Sequence, residues 1–500
     1  MKRAMERNKP SGARWWFGCV SALQLGFFVS ACAPRMPHAA ALEKPASSSS
    51  VVAPVVASLR DRALSTSRAY EWVTSLVDKV GPRLAGSRGE AAAVAWALDL
   101  LQNLGFENVH AESVVTPHWE RGAERAELVA PYRHQLVVTA LGGSEGTAPE
   151  GVEGEVVEVG SIEALEALGP DALQGKLVFF NRVMERSQDG SGYRKAVSVR
   201  VRGAAAAGRH GALGVVIRSI GTDSNRLAHT GAVRYEEGGP RLPAAALSIP
   251  DAELLSRLVQ AAMVTKGPPV RLRLSLGARA LAPASEGANV LAEVIGRERP
   301  REVVLVGAHL DSWDLGTGAL DDGAGCAIAI EAARQISLTV PRPRRTVRVV
   351  LFANEENGLA GAKAYAATHA QELGQHTLAI EADLGADRIY AARFLGAPTY
   401  ETVFTQVIAA LLPLGIRIDS APAHGGADLS PLVHEGVPVI DLQQDATRYF
   451  DLHHTANDTL DKVDRVNLDH VVAAYAALIY AAADAPEGFG RIPEALRPKL

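Results

Sequence analysis

The C-terminal half of the chain alternates short apolar runs with amphipathic segments. Apolar runs such as Val303–Val306 and Val349–Ala353 are typical of strands buried on both faces of a sheet. Between them, apolar residues recur at helical spacing. The alternation predicts an α/β fold, with a mostly parallel central sheet and helices on both faces. The predicted strands are Asn289–Ile295, Glu302–Ala308, Thr346–Ala353, Thr377–Ala382 and Val437–Leu442, and the predicted helices are Gly323–Ile336, Leu359–His369, Tyr400–Leu412, Leu429–His434 and Asn467–Ala483.

The middle of the chain has a different pattern, which predicts a second domain. From about Leu136, short strand-like runs appear with fewer helical segments. We therefore expect a β-rich inserted domain over residues 136–279. Residues 58–135, with a helical pattern in Gly89–Leu104, are expected to join residues 280–488 in one main domain, followed by a tail at 489–500.

The N-terminus has the pattern of an export signal. A basic front is followed by the apolar stretch Trp15–Val29, which is too short for a comfortable membrane span. It ends in Ser30-Ala31-Cys32, which resembles a bacterial lipoprotein signal over residues 1–32 with Cys32 as the lipidated residue. The alternative is an ordinary secretory signal cleaved nearby. Residues 33–57, rich in Ala, Pro and Ser, are predicted to be a tether, and the expected location is periplasmic, lipid-anchored, with Ala33 favouring the outer membrane.

Composition limits the classes of partner and of chemistry. A chain of 500 residues is expected to form two domains. Its formal charge of -5 argues against nucleic acid as the main partner. With Cys19 in the signal and Cys32 lipidated, Cys326 has no disulfide partner, and we predict that it is a buried packing residue.

Acidic and histidine side chains follow several predicted strands of the C-terminal half. Because the carboxyl ends of strands meet at one edge of such a sheet, these side chains are expected to converge. Buried carboxylates repel one another unless a cation is present. Imidazole and carboxylate donors without thiolate suit Zn²⁺, with Mn²⁺ or Co²⁺ as substitutes, and the number of acids favours two ions with one acid left to accept a proton from water. The groups concerned are His309, Asp311 and Asp321; Glu355 and Glu356; Asp383; and His453, His454 and Asp458.

These residues lie in four segments that resemble a known family. GAHLDSWDLGTGALDDGAG, FANEENGLAGAKAY, IEADLGA and LHHTANDTLDKVD are similar to the co-catalytic zinc exopeptidases of bacterial leucyl aminopeptidase and glutamate carboxypeptidase, most of all to the carboxypeptidase Q branch. The likeness covers roughly Asn289–Val463, and the earlier GPRLAGS segment is also similar. Residues 136–279 resemble the protease-associated (PA) insertion of such proteins.

The resemblance implies roles for individual residues. Two zinc ions would share Asp321, and Glu355 would be the general base. Asp311 would orient a ligand histidine, as metal-binding histidines usually require. Asp458 would either support the site or cap the next turn, and Tyr449 would either face the oxyanion or pack. The implied ligands are His309 and Asp383 for one zinc, Glu356 and His454 for the other, and His453 as a neighbour that faces substrate.

The activity implied is hydrolysis of small peptides, dipeptides included, by a water activated between two metals. Whether attack starts from the amino or the carboxyl end stays open. The alternative from another class is a catalytically inactive surface protein that binds peptides through its PA-like domain. A third possibility, glutaminyl cyclisation with one zinc, is disfavoured by the complete ligand set. The resemblance also suggests a homodimer.

Overall fold

A computed structural model describes residues 52–169 and 172–498. The predicted signal peptide, Cys32 and most of the predicted tether lie outside the described residues. The tether was expected to extend to residue 57, but helix α1 begins at Val52. Its apolar side chains explain the difference, because Val56 and Leu59 are buried against the body of the protein.

The strands and helices follow one another along the whole described chain. In chain order the strands are β1 Glu107–Glu120, β2 Glu124–Ala130, β3 His134–Leu136, β4 Val138–Ala140, β5 Val152–Val159, β6 Leu177–Phe180, β7 Gly214–Arg218, β8 Ala244–Leu247, β9 Arg271–Leu276, β10 Arg279–Val294, β11 Arg299–His309, β12 Arg345–Phe352, β13 His376–Glu381, β14 Ile389–Leu395, β15 Arg417–Pro422 and β16 Val439–Gln444. The helices are α1 Val52–Thr66, α2 Ala69–Lys79, α3 Arg88–Asn103, α4 Ile162–Glu166, α5 Ser191–Ala196, α6 Ser198–Arg209, α7 Ile249–Thr265, α8 Ala324–Ser337, α9 Ala360–Thr368, α10 Glu401–Ile408, α11 Ser430–His434, α12 Tyr449–Leu452 and α13 Arg465–Asp484.

The first sheet has the order β1-β10-β12-β11-β13-β16-β14-β15. Its four central strands, β12, β11, β13 and β16, run parallel, whereas β10 and β14 join them antiparallel. The edge pair β14–β15 is also parallel, so four of the seven strand pairs are parallel and three are antiparallel. The fold is therefore mixed α/β, with a sheet that is parallel in its centre and in one edge pair. The sequence prediction missed β1, β14 and β15, because these outer strands lack the continuous apolar run of a strand covered on both faces.

Helices cover both faces of this sheet, as predicted. In β11, Val304 and Val306 pack in one apolar cluster with α8 and α13, while Val303 and Leu305 pack in another with α9 and α11. Successive side chains of a strand point to opposite faces. The alternation within β11 thus explains why every residue from Val303 to Val306 is apolar.

Helix α13 is the central helix of one face. It contacts α1, α8 and the strands β11, β12 and β14. It is apolar enough by composition to cross a membrane, but 83% of its most apolar stretch is buried inside the protein. Being surrounded by protein accounts for its lack of a polar face.

The second sheet has the order β3-β2-β9-β5-β6-β7-β8-β4, and all its strands lie between residues 124 and 276. This segment is inserted between β1 and β10, which pair with each other in the first sheet. The predicted start at residue 136 was too late, because β2 pairs with β3 and β9 and so belongs to the second sheet. The segment is also less β-rich than predicted, since α4 to α7 lie within it.

We expect the central strand β11 to be sensitive to cavity formation. Leu305→Ala should lower the free energy of unfolding by about 2–5 kcal/mol, because Leu305 is fully buried and its loss leaves a cavity. Leu412→Ala is the matched control, because Leu412 is 58% exposed and should change stability by less than about 0.5 kcal/mol. Urea unfolding followed by tryptophan fluorescence measures both, and equal effects would contradict the assignment of β11 to the core.

Candidate metal centre

The carboxyl ends of three parallel strands meet at one edge of the first sheet. Strand β11 ends at His309, which lies beside Phe352, the last residue of β12. Glu355 and Glu356 follow β12 after two residues, and Asp383 follows β13 after one residue. The parallel register thus brings these side chains to one place, as expected for an open α/β sheet.

Two groups of three donors form there, and both include Asp321. In the first group, His309 Nε2 lies 3.2 Å from Asp321 Oδ1 and 3.6 Å from Asp383 Oδ1. In the second, His454 Nε2 lies 3.3 Å from Asp321 Oδ2 and 3.0 Å from Glu356 Oε2. The donor atoms of each group all lie within 4.8 Å of one another. Asp321 therefore offers one carboxylate oxygen to each group.

Burial and charge make this cluster costly without a cation. The pKa of His309 lies well above its ordinary value, because neighbouring carboxylates outweigh burial, which by itself would lower it. The pKa of Asp321 lies well below its ordinary value, because His309 and His454 outweigh the effect of burial. Burial and the charge of Asp321 raise the pKa of Glu356 to about 7. Three carboxylates and two imidazoles in one buried space are stabilised by a bound dication.

The donor set and its spacing fit zinc. The donors are imidazole nitrogens and carboxylate oxygens, the ligands that Zn²⁺ takes at roughly 2.0–2.2 Å in tetrahedral geometry. Such a tetrahedron has edges of roughly 3.3–3.6 Å, close to the donor separations of 3.0–3.6 Å found here. Glu356 Oε1 is buried and has no hydrogen-bond partner among the described residues, which leaves it available to a metal.

Glu355 lies outside both donor groups and lines the adjacent cleft. Its backbone N–H donates to Asp311 Oδ1 at 3.0 Å. The predicted contact between Asp311 and His309 takes a different form: His309 Nδ1 lies 3.1 Å from the backbone carbonyl of Asp311 and 3.6 Å from its carboxylate. The carbonyl is thus the hydrogen-bond partner of the imidazole, and the Asp311 carboxylate instead holds the backbone of Glu355.

Asp458 supports the shared ligand. Of the two roles considered for it, the structure places its carboxylate on the backbone N–H groups of Leu320 and Asp321, at 2.6 and 3.2 Å. The chain passes from Asp321 to Asp322 through a cis peptide bond. The carboxylate of Asp322 accepts from the backbone N–H of His309 at 3.1 Å. Both acids therefore fix ligand residues through the backbone.

Arg83 was not singled out by the sequence analysis as a site residue. It is fully buried and donates to the carbonyls of Leu310, Thr317 and Gly318 at 2.8, 2.8 and 3.0 Å. It thereby fixes the loop between β11 and Asp321. A single arginine in a Gly-Pro-Arg turn gives no sequence signal of this role, although the GPRLAGS segment that contains it was recognised as similar to the family.

The aromatic neighbours lie beside the donors. His453 stacks on His454, with ring centroids 4.2 Å apart, and lines the cleft. Tyr449 Oη lies 3.4 Å from Asp383 Oδ1, so its hydroxyl faces the donor cluster rather than an apolar core.

Comparisons with known proteins agree with this fold and site. The profile described as Peptidase family M28 matches residues 289–479. Carboxypeptidase Q of Bos taurus is 38% identical over 420 residues, covering 84% of this chain and 86% of that protein. The crystal structure of a peptidase M28 precursor from Shewanella amazonensis has a TM-score of 0.86 and 43% identity, covering 90% of this chain and 99% of that one. BSAP, a zinc aminopeptidase from Bacillus subtilis, has a TM-score of 0.61 at 19% identity, with coverage of 85% and 97%, and at that identity it supports the fold alone.

The class of protein follows from these likenesses: it is a metallopeptidase, a hydrolase. The buried imidazoles and carboxylates are its candidate metal ligands. More closely, the likeness to carboxypeptidase Q extends over most of both chains. The chain belongs to peptidase family M28.

We expect zinc to raise the temperature of unfolding, because the donors come together only in the folded protein. At a free zinc concentration one hundred times the dissociation constant, the gain is about 2.7 kcal/mol. Asp321→Asn should abolish most of this shift, since both donor groups use Asp321. Asp61→Asn is the control, because that side chain is 62% exposed. Scanning fluorimetry with and without zinc measures the shift, and a full shift in Asp321→Asn would contradict the site.

Proposed function

We propose that the protein is a zinc-dependent exopeptidase that hydrolyses small peptides, with two zinc ions per chain. The observation that carries the proposal is the pair of donor groups joined by Asp321, with the separate carboxylate of Glu355 at the same cleft. His309 and Asp383 would hold one zinc, and Glu356 and His454 the other. The alternative of an inactive peptide-binding protein gains no support from the comparisons, whose named relatives are peptidases.

The chain's own residues divide the work of hydrolysis. Bound zinc supplies Lewis-acid activation of water and of the scissile carbonyl. Glu355 accepts the proton of the attacking water and delivers it to the leaving amine, the role of a general base that then acts as an acid. Asp311 fixes the backbone of Glu355, and Tyr449 directs its hydroxyl to the same place.

The cleft has two lobes, and both are lined by arginines and by carboxylates. The larger lobe, about 580 Å³, is lined by Arg194, Arg200 and Arg234 from the inserted segment together with the donor carboxylates. The smaller lobe, about 240 Å³, is lined by Asp189, Glu381 and Asp441 together with Arg194 and Arg393. Asp383 borders both lobes, so the donor cluster lies where they meet. Charged groups of both signs beside the donors suit a short peptide with a free ammonium at one end and a free carboxylate at the other, dipeptides foremost.

Two wider features belong to the proposal. The inserted segment is taken as a PA-type domain, on the sequence resemblance and on its position between β1 and β10. The protein is taken as exported and lipid-anchored through Cys32, on the pattern of residues 1–32.

Glu355→Gln should lower kcat by about 10²–10⁴-fold, because it removes the general base and keeps the shape of the side chain. Its zinc content should equal that of the wild type, since Glu355 belongs to neither donor group. Glu435→Gln, at an exposed position, is the control and should retain full turnover. Dipeptide hydrolysis and elemental analysis measure the two quantities; unchanged kcat in Glu355→Gln would remove this residue from the mechanism.

We expect blocking either end of a dipeptide to reduce kcat/KM. Arg234→Gln should raise KM for a free dipeptide by about tenfold or more, the value of one charge-assisted hydrogen bond, and should leave KM for the C-terminal amide nearly unchanged. Arg417→Gln is the control at another exposed arginine. A panel of free, N-acetylated and C-amidated dipeptides separates these effects. Equal turnover of all three forms would contradict recognition of the two free ends of the peptide.

A further inference from the structure

The two donor groups have different surroundings. His309 and Asp383 are held from within the main domain, by Asp311 and Tyr449 respectively. Glu356 and His454 contact residues that the inserted segment holds in place. We call this contact region, formed by Arg121, Thr230, Trp313 and Asp314, the seam.

Trp313 positions Glu356. Its indole Nε1–H donates to Glu356 Oε2 at 2.6 Å, a short hydrogen bond of the charge-assisted kind. Trp313 also lies edge-on to His454, with ring centroids 5.8 Å apart. One side chain therefore restrains the carboxylate and borders the imidazole of the same donor group.

The inserted segment holds Trp313. The residue comes from the loop after β11, yet it is only 4% exposed and packs in the apolar cluster of the second sheet. Its ring meets that of Trp119 edge-on at 6.4 Å. A Cβ added at Gly142 would lie 1.7 Å from the Trp313 ring, so only glycine leaves room there. The position of the indole thus depends on the docked second sheet.

Thr230 of the inserted segment holds His454 by its backbone. The Thr230 N–H donates to the carbonyl of His454 at 2.9 Å, and His454 Nδ1 lies 3.3 Å from the carbonyl of Thr230. Arg200 Nη1 also lies 3.3 Å from His454 Nδ1, so two groups of the inserted segment border this nitrogen while Nε2 faces the other donors. His454 has a φ of +61°, a backbone conformation that residues other than glycine rarely adopt. The hydrogen bond from Thr230 helps to hold the backbone in this conformation.

Arg121 links the part of the seam beside Trp313 to the part beside Thr230. Its guanidinium binds Asp314 Oδ2 at 2.9 Å, next to Trp313 in sequence, and binds Thr230 Oγ1 at 3.2 Å. Arg121 is only 8% exposed, and its planar fork matches this double role, which a lysine lacks.

We propose that the seam sets the zinc affinity of one half of the metal centre, the half formed by Glu356 and His454, and leaves the His309–Asp383 half unaffected. Trp313 and Thr230 are positioning residues, and the inserted segment is a structural part of the metal centre. The inference rests on the proposed function, because it requires two zinc ions. Loss of a contact that orients a metal ligand typically weakens binding by about tenfold to a hundredfold.

The test is a zinc titration of the full chain with buffered free zinc, read by elemental analysis after gel filtration. Trp313→Phe removes the N–H donor and keeps an aromatic ring. It should weaken one of the two binding steps by about tenfold to a hundredfold. Trp96→Phe is the matched control, because its indole donates to Ser75 Oγ at 3.1 Å and the residue lies in helix α3, in a different apolar cluster from Trp313. It should titrate as the wild type does.

Two backgrounds assign the weakened step. Asp383→Asn disables the His309–Asp383 half, so the remaining step should shift when Trp313→Phe is added. Glu356→Gln disables the other half, and adding Trp313→Phe should then leave the zinc affinity of the remaining step unchanged. Arg121→Lys tests the seam independently and should weaken the same step, even if Trp313→Phe lowers overall stability.

Three results would overturn the inference: unshifted titrations in both Trp313→Phe and Arg121→Lys, equal shifts of both steps, or a shift of the remaining step in Glu356→Gln. A wild-type protein that takes up no zinc would instead overturn the proposed function itself. If the wild type binds two zinc ions and the seam variants titrate as the wild type does, the role of the seam would be overturned and the proposed function would stand.

Discussion

The burial of several carboxylates beside two imidazoles is the constraint on which the rest of the structure depends. Asp321, Glu356, His309 and His454 are each less than about a tenth exposed, and like charges at this distance in a medium of low dielectric constant repel strongly. Such a cluster persists when a cation neutralises it and when other groups hold each side chain in place. The architecture of the protein supplies the second condition.

That support comes from backbone groups and from buried polar side chains. Arg83 fixes the loop after β11 through three carbonyls, while Asp322 and Asp458 fix His309 and Asp321 through backbone N–H groups. Arg83, Asp322 and Asp458 are not among the residues that line the cleft, yet they fix the backbone that carries the donors. The second sheet extends this support across the seam to Glu356 and His454. The inserted segment forms its own sheet, but its residues contact the donor cluster and support it.

The cleft beside the donors is also formed by both parts of the chain. Each of its two lobes is lined by residues of the inserted segment, such as Arg194, and by residues of the main domain, such as Asp383. The docking of the two sheets therefore determines the shape and the charge of the cleft as well as the surroundings of the donors.

Much of the centre of the fold was predictable from the sequence. Strands buried on both faces require apolar runs, so β11, β12 and β13 were predicted within one to three residues of their ends, and the donors at or after these ends were predicted with them. The family likeness also named the five donors, because they lie in short segments of fixed spacing. Apolar runs and short motifs involve neighbouring residues only, so they can be recognised in the sequence without the fold.

Only the tertiary structure decided the outer strands, the start of the inserted segment and the supports of the metal centre. β1, β2 and β14 pair at sheet positions that their own patterns do not specify, since an outer strand is defined by its partner. The contacts of Trp313 with Glu356 and of Thr230 with His454 join residues 43 and 224 positions apart. A hydrogen bond between such distant residues depends on how two sheets dock, and no local pattern of hydrophobic and polar positions records it.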